Sequence, residues 1–308
     1  MVVSWLDRLD PALRHLAGAR TDLSVEHLGA VRAALDQRRR ATARTLDTRG
    51  VAITGARIAV GRRALPLRIY RAGPSPAPAV VYCHSGGFVL GNLDTDQAQC
   101  VELARQGRCT VIAVDYRLAP EHPFPAALDD AMAALTWATT DATELDVDAT
   151  RIAVAGSSAG GALAAVLAQR SAAGTAPPIA FQLLHQPVLD DRPTGSKAEF
   201  GDTPGFDGSA AAAMWRHYLA GGPAQAAAVP ARAATLDRLA PAFITCSELD
   251  PLRDEALDYA RRLLAAGVPM EIEVFRGTCH GFDSLLPNWE MSRQLRAMQG
   301  AALTRGLS

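Results

Sequence analysis

The chain has 308 residues, 49% of them hydrophobic and 20% charged, with a formal net charge of −1. That balance excludes a disordered or low-complexity chain and supplies enough apolar side chains for a sizeable core. It leaves no global field to gather nucleic acid or an anionic membrane surface, and no apolar run reaches transmembrane length.

Residues 1–45 pattern as helices, with Trp5, Leu6, Leu13 and Leu16 at helical spacing and Pro11 near a boundary. The opening "MVVSWLDRLDPALRHLAG" carries acidic residues where a secretory leader would be apolar, so no leader is expected. The basic runs "QRRR" at 37–40 and "GRR" at 61–63 are short and are expected to be solvated faces. Next, "VAITGARIAV" and "LPLRIYRA" alternate apolar and polar residues as an antiparallel pair would. After the turn "GPSPAP", strand-like and helical runs alternate: "AVVYCH", "DQAQCVELARQ", "TVIAVDYRL", "AALDDAMAALTWA", "RIAVAG" and the helix after it, then "IAFQLLHQ". Beyond residue 240 come "PAFITCSE", "EALDYARRLLAAG", "MEIEVFRG" and a last helix near 288–303.

This alternation predicts an α/β fold, a mostly parallel sheet covered by helices on both faces. Residues 191–235 break the rhythm. They are too many for an αβ connection and predict an insertion with its own helix around 208–219. The five cysteines (Cys83, Cys100, Cys109, Cys246, Cys279) are dispersed without CxxC spacing, which suits a reducing cytosol and predicts a cytoplasmic protein. Lys197, the only lysine among many arginines, reads as a mark of a GC-rich genome rather than of chemistry.

In "AVAGSSAGGALAAV", residues 153–166, two serines lie between a strand-like and a helical run. Strand, tight turn and helix is the setting of a nucleophile elbow, where the residues two before and two after the serine almost touch. Centring on Ser158 puts Gly156 and Gly160 at those flanks; centring on Ser157 puts Ala155 and Ala159 there, each with a Cβ. Ser158 is the candidate nucleophile.

A serine so placed needs a base, and the base a carboxylate to fix its tautomer. Folds that use the elbow order them serine, acid, histidine. Of seven histidines, only His185, His217 and His280 follow Ser158. His185 ends a strand before Gln-Pro and His217 lies in a helical run, whereas His280 stands in the loop "TCHGF" just past a strand. His280 is the candidate base. Asp250 in "CSELDPLRDEA" is the candidate acid, just past a strand and before a proline expected to start the next helix. Glu248 is its nearest rival, and Asp254 and Glu255 suit the positive N-terminal end of that helix. Oxyanion donors are expected from the N–H of Ala159 and from Gly86 and Gly87 in "VVYCHSGGFVLG", with His84 bracing that loop.

Five motifs, His84-Ser85-Gly86-Gly87-Phe88, "YRLAPEHPFPAALDDA" at 116–131, "GSSAGG" at 156–161, "DPLRDE" at 250–255 and "HGF" at 280–282, stand in the order of a known family. From about residue 50 onward the chain resembles the hormone-sensitive-lipase type (bacterial family IV) of α/β-hydrolase esterases, and within it the Lip-type carboxylesterases of actinobacteria. The resemblance implies Ser158, Asp250 and His280 as catalytic residues and Gly86, Gly87 and Ala159 as oxyanion hole. It also implies an α/β-hydrolase domain over 46–308 and a cap built from the helices of 1–45 and part of 191–235. Phe88, Val89, Trp215, Phe282 and Leu285 are expected to line the pocket.

Two departures stand out: Ser85 replaces the family's first glycine and Ser157 its usual aspartate. The implied activity is hydrolysis of short- to medium-chain acyl esters through an acyl-enzyme. The alternatives are an amidase like the arylacetamide deacetylases, or a binding protein on the same scaffold, as in the gibberellin receptors, which lack the histidine present here. No HExxH, P-loop or dinucleotide fingerprint occurs, so no metal or other cofactor is expected. The expected partner is a small-molecule ester, with no nucleic acid and no stable membrane insertion; a homodimer is left open.

Overall fold

The structure, a computed structural model, describes residues 4–308, so residues 1–3 of the expected N-terminal helices lie outside it. The N-terminal segment holds α1 (Trp5–Arg8), a 3₁₀ turn (Arg14–Leu16) and α2 (Val25–Thr45). The core of the chain follows as β1 (Ala52–Val60), β2 (Arg63–Arg71), β3 (Ala77–Cys83), α3 (Gln97–Gly107), β4 (Thr110–Val114), α4 (Ala126–Thr140), α5 (Ala142–Leu145), β5 (Val147–Ser157), α6 (Ala159–Ala172) and β6 (Phe181–His185). The expected insertion carries α7 (Gly195–Glu199), α8 (Gly208–Leu219) and a 3₁₀ turn (Pro230–Arg232); α8 is the helix its sequence predicts. Then come β7 (Ala242–Leu249), α9 (Arg253–Ala265), β8 (Met270–Cys279), α10 (Phe282–Leu285) and α11 (Glu290–Gly306).

The strands form one sheet in the order β1-β2-β4-β3-β5-β6-β7-β8. Only the β1–β2 and β2–β4 pairings are antiparallel. β3, β4 and β6 are buried along their whole length, which is why their sequences read as unbroken apolar runs rather than alternating ones. Period-2 geometry still sorts their side chains. Val80 and Tyr82 join the core beneath α3 and α11, whereas Ala79, Val81 and Cys83 join the one beneath α4, α6 and α9. Each fully buried Val or Leu in these layers contributes about 1.5–3 kcal/mol. All five cysteines are free and buried.

The pairing register brings the carboxyl ends of five strands to one rim. Cys83 pairs with Gly156, Ser157 with His185, His185 with Thr245, and Leu249 with Cys279. The segments leaving there begin at His84, Ser158, Gln186, Asp250 and His280, so the motifs far apart in sequence converge where open parallel sheets place their sites.

Two expectations are corrected. The basic runs are not wholly solvated. The Arg63 guanidinium pairs with the fully buried Asp130, which also binds Arg117, and Arg39 packs inward near Asp36. The N-terminal segment is only partly helical, because its conformation follows what it packs on. Leu9 and Leu13 are buried, Leu6 is exposed, and Gly205 N–H in the insertion donates to Ala19 O (3.0 Å). Trp5 Nε1 donates to Asp202, and His217 Nε2 lies 2.7 Å from Leu23 O. Across the molecule, Arg32 donates to the carbonyls of Val89 and Ala119 and forms an ion pair with Glu121.

Candidate active site

β5 runs into Ser158 at φ 55°, ψ −116°, and α6 starts at the next residue. Any side chain but glycine's at the flanks would break this turn. A Cβ on Gly156 would lie 2.2 Å from Gly160 O, and one on Gly160 would lie 1.9 Å from Cys83 O in β3. Ser158 N–H donates to His185 O (2.8 Å), while its carbonyl accepts from Gly161, Ala162 and Val188. The strained backbone is thus held on four sides.

His280 Nε2 lies 3.0 Å from Ser158 Oγ, and Nδ1 lies 2.8 Å from Asp250 Oδ2. A carboxylate can only accept, so Nδ1 carries the proton and Nε2 turns its lone pair to the hydroxyl. Asp250 is fully buried, and its other oxygen accepts the Leu252 N–H (2.8 Å). Pro251 does not open α9, as its sequence suggested; Leu252 caps the helix, and Pro251 completes the turn that aims Asp250. Glu248 is engaged elsewhere, accepting from Arg8 and from Gly277 N–H (2.8 Å). Among the described residues, no group of three or more His, Cys, Asp or Glu side chains is arranged to hold a metal ion.

The loop after β3 brings Gly86 (φ 129°) and Gly87 (φ 61°) beside the elbow, and a Cβ on Gly86 would strike Leu90 O at 2.1 Å. Among the described residues, the N–H groups of Gly86, Gly87 and Ala159 donate to no protein acceptor, although the carbonyl of Gly86 accepts twice. Ser85, the departure from the family motif, adds to the loop's anchoring: its N–H and hydroxyl both reach Asp96 (2.7 and 2.9 Å). His84 stacks on Tyr116, whose hydroxyl donates to His84 O (2.7 Å). Burial pushes the His84 imidazole down to about 4, so it is neutral at pH 7 and its Nδ1–H donates to Ser85 O (2.7 Å).

Residues 80–284 match the family model described as the alpha/beta hydrolase fold. The chain belongs to the α/β-hydrolase fold family. It is 47% identical over 212 residues to Esterase LipI of Mycobacterium tuberculosis, a match spanning 67% of this chain and 66% of that protein. Among solved structures it resembles esterase LipW from Mycobacterium marinum, with a TM-score of 0.96 and 58% identity over 98% of this chain and 96% of that one. It also resembles a bacterial heroin esterase, with a TM-score of 0.92 and 36% identity over 98% and 99% of the two chains. This α/β-hydrolase is accordingly a carboxylic ester hydrolase.

Of the expected pocket residues, Phe88, Val89 and Phe282 are fully buried and packed as core. Phe88 stacks on Tyr218 (centroids 3.7 Å apart) and lies 6.0 Å from Trp215, so it joins the loop after β3 to α8. Phe282 packs with Phe275 and Trp289 in a separate cluster under the N-terminal segment, with Leu9, Leu13 and Phe200. Its ring points away because α10 begins there and turns that side chain inward. Leu285 is half-buried on the same cluster, and Trp215 is 5% exposed. Three residues the sequence did not single out lie closer to the chemistry. The Phe206 ring is 4.8 Å from His280, and a Cβ on Gly87 would stand 3.4 Å from Met214 and 3.7 Å from Leu23. An open cleft of about 600 Å³ lined by Arg57, Asp129, Met132 and Trp137 lies elsewhere in the hydrolase and shares no residue with this site.

Two further readings are corrected. Glu255 does more than suit a helix end. It is buried, accepts the Leu189 N–H (2.7 Å) and pairs with Lys197 Nζ (2.5 Å). Burial raises its carboxyl to about 7 despite that partner. Lys197 therefore has a chemical place, its ammonium also donating to the carbonyls of Asp190 and Arg192.

Proposed function

We propose that this hydrolase is a serine carboxylesterase acting on short- to medium-chain acyl esters, with Ser158 as nucleophile, His280 as base and Asp250 as its orienting acid. The observation that carries this reading is the unbroken line from Asp250 Oδ2 through His280 to Ser158 Oγ, at 2.8 and 3.0 Å, beside three unengaged N–H groups. Ser158 Oγ attacks the acyl carbon as its proton passes to His280 Nε2, and the Asp250 carboxylate balances the imidazolium. The carbonyl oxygen, now anionic, takes the N–H groups of Gly86, Gly87 and Ala159. Collapse expels the alcohol, which takes the proton from His280. Water, deprotonated by the same nitrogen, then releases the carboxylic acid and restores Ser158.

The N-terminal segment, residues 1–45, and part of 191–235 form the cap, a reading supported by their mutual hydrogen bonds and by Leu23, Phe206 and Met214 beside the site. These side chains bound the acyl space closely. Each added methylene helps by about 0.8 kcal/mol while room remains, and beyond that distortion of a packed wall costs about 1–3 kcal/mol. An optimum at acyl chains of roughly two to eight carbons follows, without interfacial activation. A cytoplasmic location is favoured by the five free, buried cysteines, and no described helix is long and apolar enough to cross a membrane. The test is a series of p-nitrophenyl esters from acetate to palmitate, with mass detection of an acyl adduct on Ser158. Peak activity on emulsified long-chain triglycerides, or turnover without an adduct in rapid-quench samples, would overturn the reading.

A further inference from the structure

The loop bearing His280 is gripped on both sides of that residue. Ser247 Oγ donates to the Cys279 carbonyl (3.0 Å), and Gly281 N–H donates to Gln186 Oε1 (2.7 Å). The other end of the same amide, Gln186 Nε2, donates to Ser247 Oγ (2.6 Å), closing a bracket around the histidine. Thr278 Oγ1 lies 2.8 Å from both Ser247 Oγ and Phe275 O, and its single proton serves one of them at a time. The neighbouring His185 adds a second hold: its Nε2 lies 3.1 Å from Asp283 Oδ1 and its Nδ1 2.7 Å from Thr245 Oγ1.

Gln186 also reaches the nucleophile. The His185 carbonyl, in the peptide unit that joins it to Gln186, accepts the Ser158 N–H (2.8 Å), and the N–H of the same unit donates to Thr245 O (2.6 Å). Gln186 is 1% exposed and sits at φ 43°, a region that non-glycine residues occupy only when their surroundings over-determine them. Glycine would relieve that backbone but would lose the side chain that spans to Gly281. One residue therefore ties the main chain of the elbow to the main chain of the base.

We propose that Gln186, closed by Ser247, is a positioning residue that sets the His280–Ser158 separation. This rests on reading Ser158 and His280 as nucleophile and base. Proton transfer needs heavy atoms within about 2.6–3.2 Å, and a misplacement of about 1 Å costs on the order of 10²-fold. His280 serves both acylation and deacylation, so freeing its loop lowers kcat and leaves KM almost unchanged.

The experiment is a double-mutant cycle with p-nitrophenyl butyrate on the full-length chain. Gln186→Met keeps the length and removes both polar ends; it is expected to lower kcat about 30- to 100-fold with KM within about twofold. Gln186→Glu, whose neutral carboxyl offers the same acceptor and donor, is expected to recover most of that loss. With His280→Ala present, Gln186→Met should change the residual rate by less than about twofold, since the group it positions is gone. An equal loss in both backgrounds, or full activity of Gln186→Met, overturns the proposal. If Gln186→Met does not fold, Ser247→Ala runs the same cycle under the same criteria. Retained activity in His280→Ala alone would instead overturn the underlying reading, and with it the positioning role.

Discussion

Replacing Ser85 by glycine restores the family's usual motif, yet it is expected to weaken this enzyme. Ser85 N–H and Oγ share the two oxygens of Asp96, and Tyr82 donates to the same carboxylate at 3.0 Å. Ser85→Gly keeps the backbone bond and deletes the hydroxyl bond. A hydrogen bond to a charged acceptor is worth about 1.5–3 kcal/mol, and glycine loosens the unfolded chain by a further 0.4–1 kcal/mol or so. The expected loss is about 2–4 kcal/mol. An unfolding entropy of about 2.1 cal/mol/K per residue gives roughly 0.65 kcal/mol/K for a chain this long, so Tm should fall by about 3–6 °C. The same bond steadies the loop that carries the Gly86 and Gly87 N–H groups. Removing an oxyanion donor costs about 10²–10³-fold; loosening two without removing either should lower kcat by about 3–10-fold with KM unchanged. Circular-dichroism melting and steady-state hydrolysis of p-nitrophenyl butyrate read both effects. In an Asp96→Ala background Ser85→Gly should cost little more. Parental Tm and kcat in Ser85→Gly would show that the hydroxyl does not hold the loop.

Ser158→Ala is expected to lose on the order of 10⁵-fold in kcat, and Ser157→Ala less than about tenfold; the reverse pattern would mean the elbow is centred one residue earlier. Asp250→Asn should cost about 10⁴-fold by stabilising the wrong tautomer, while Glu248→Gln, which touches Arg8 and Gly277, should stay within about twofold; equal losses would remove Asp250 from its role. Glu255 gives a pH test. Its carboxyl is raised in the folded chain, from 4.5 to about 7. Folding therefore takes up a proton between those values, and the associated stability is present at low pH and lost as pH rises through 7. Above that, the buried carboxylate depends on Lys197; Lys197→Met leaves it protonated instead, so the lost pairing adds about 1.4 kcal/mol to the deficit at pH 8, one pH unit above 7, and the Tm deficit should be about 2 °C larger at pH 8 than at pH 5.5. A deficit that does not change with pH would mean the pair is not an ion pair.

What the sequence reveals of this molecule follows from how local each constraint is. The elbow is legible because Gly156 answers a steric demand within five residues, with only 2.2 Å between an added Cβ and Gly160 O. The sheet is legible because strands covered on both faces must be apolar throughout. By contrast, Gln186 reaches Gly281 across 95 positions, Ser247 across 61 and Lys197 reaches Glu255 across 58, and no periodicity records such a bond. Apolar residues near motifs mislead for a related reason: Phe88 and Phe282 satisfy the pattern of a pocket wall and of a core equally, and both are core. Backbone strain separates the two cases better than residue type. Arg108, Asp146 and Ala220 have positive φ at helix C-caps, where turning the chain explains them. Phe88, Ser158 and Gln186 have positive φ in the segments that leave β3, β5 and β6 on the same rim. No helix ends there to require it. The strain is sustained by hydrogen bonds that hold the loop after β3, the elbow serine and the bracket around His280 at one rim, which is how a rigid sheet holds three unfavourable conformations where the proposed chemistry needs them.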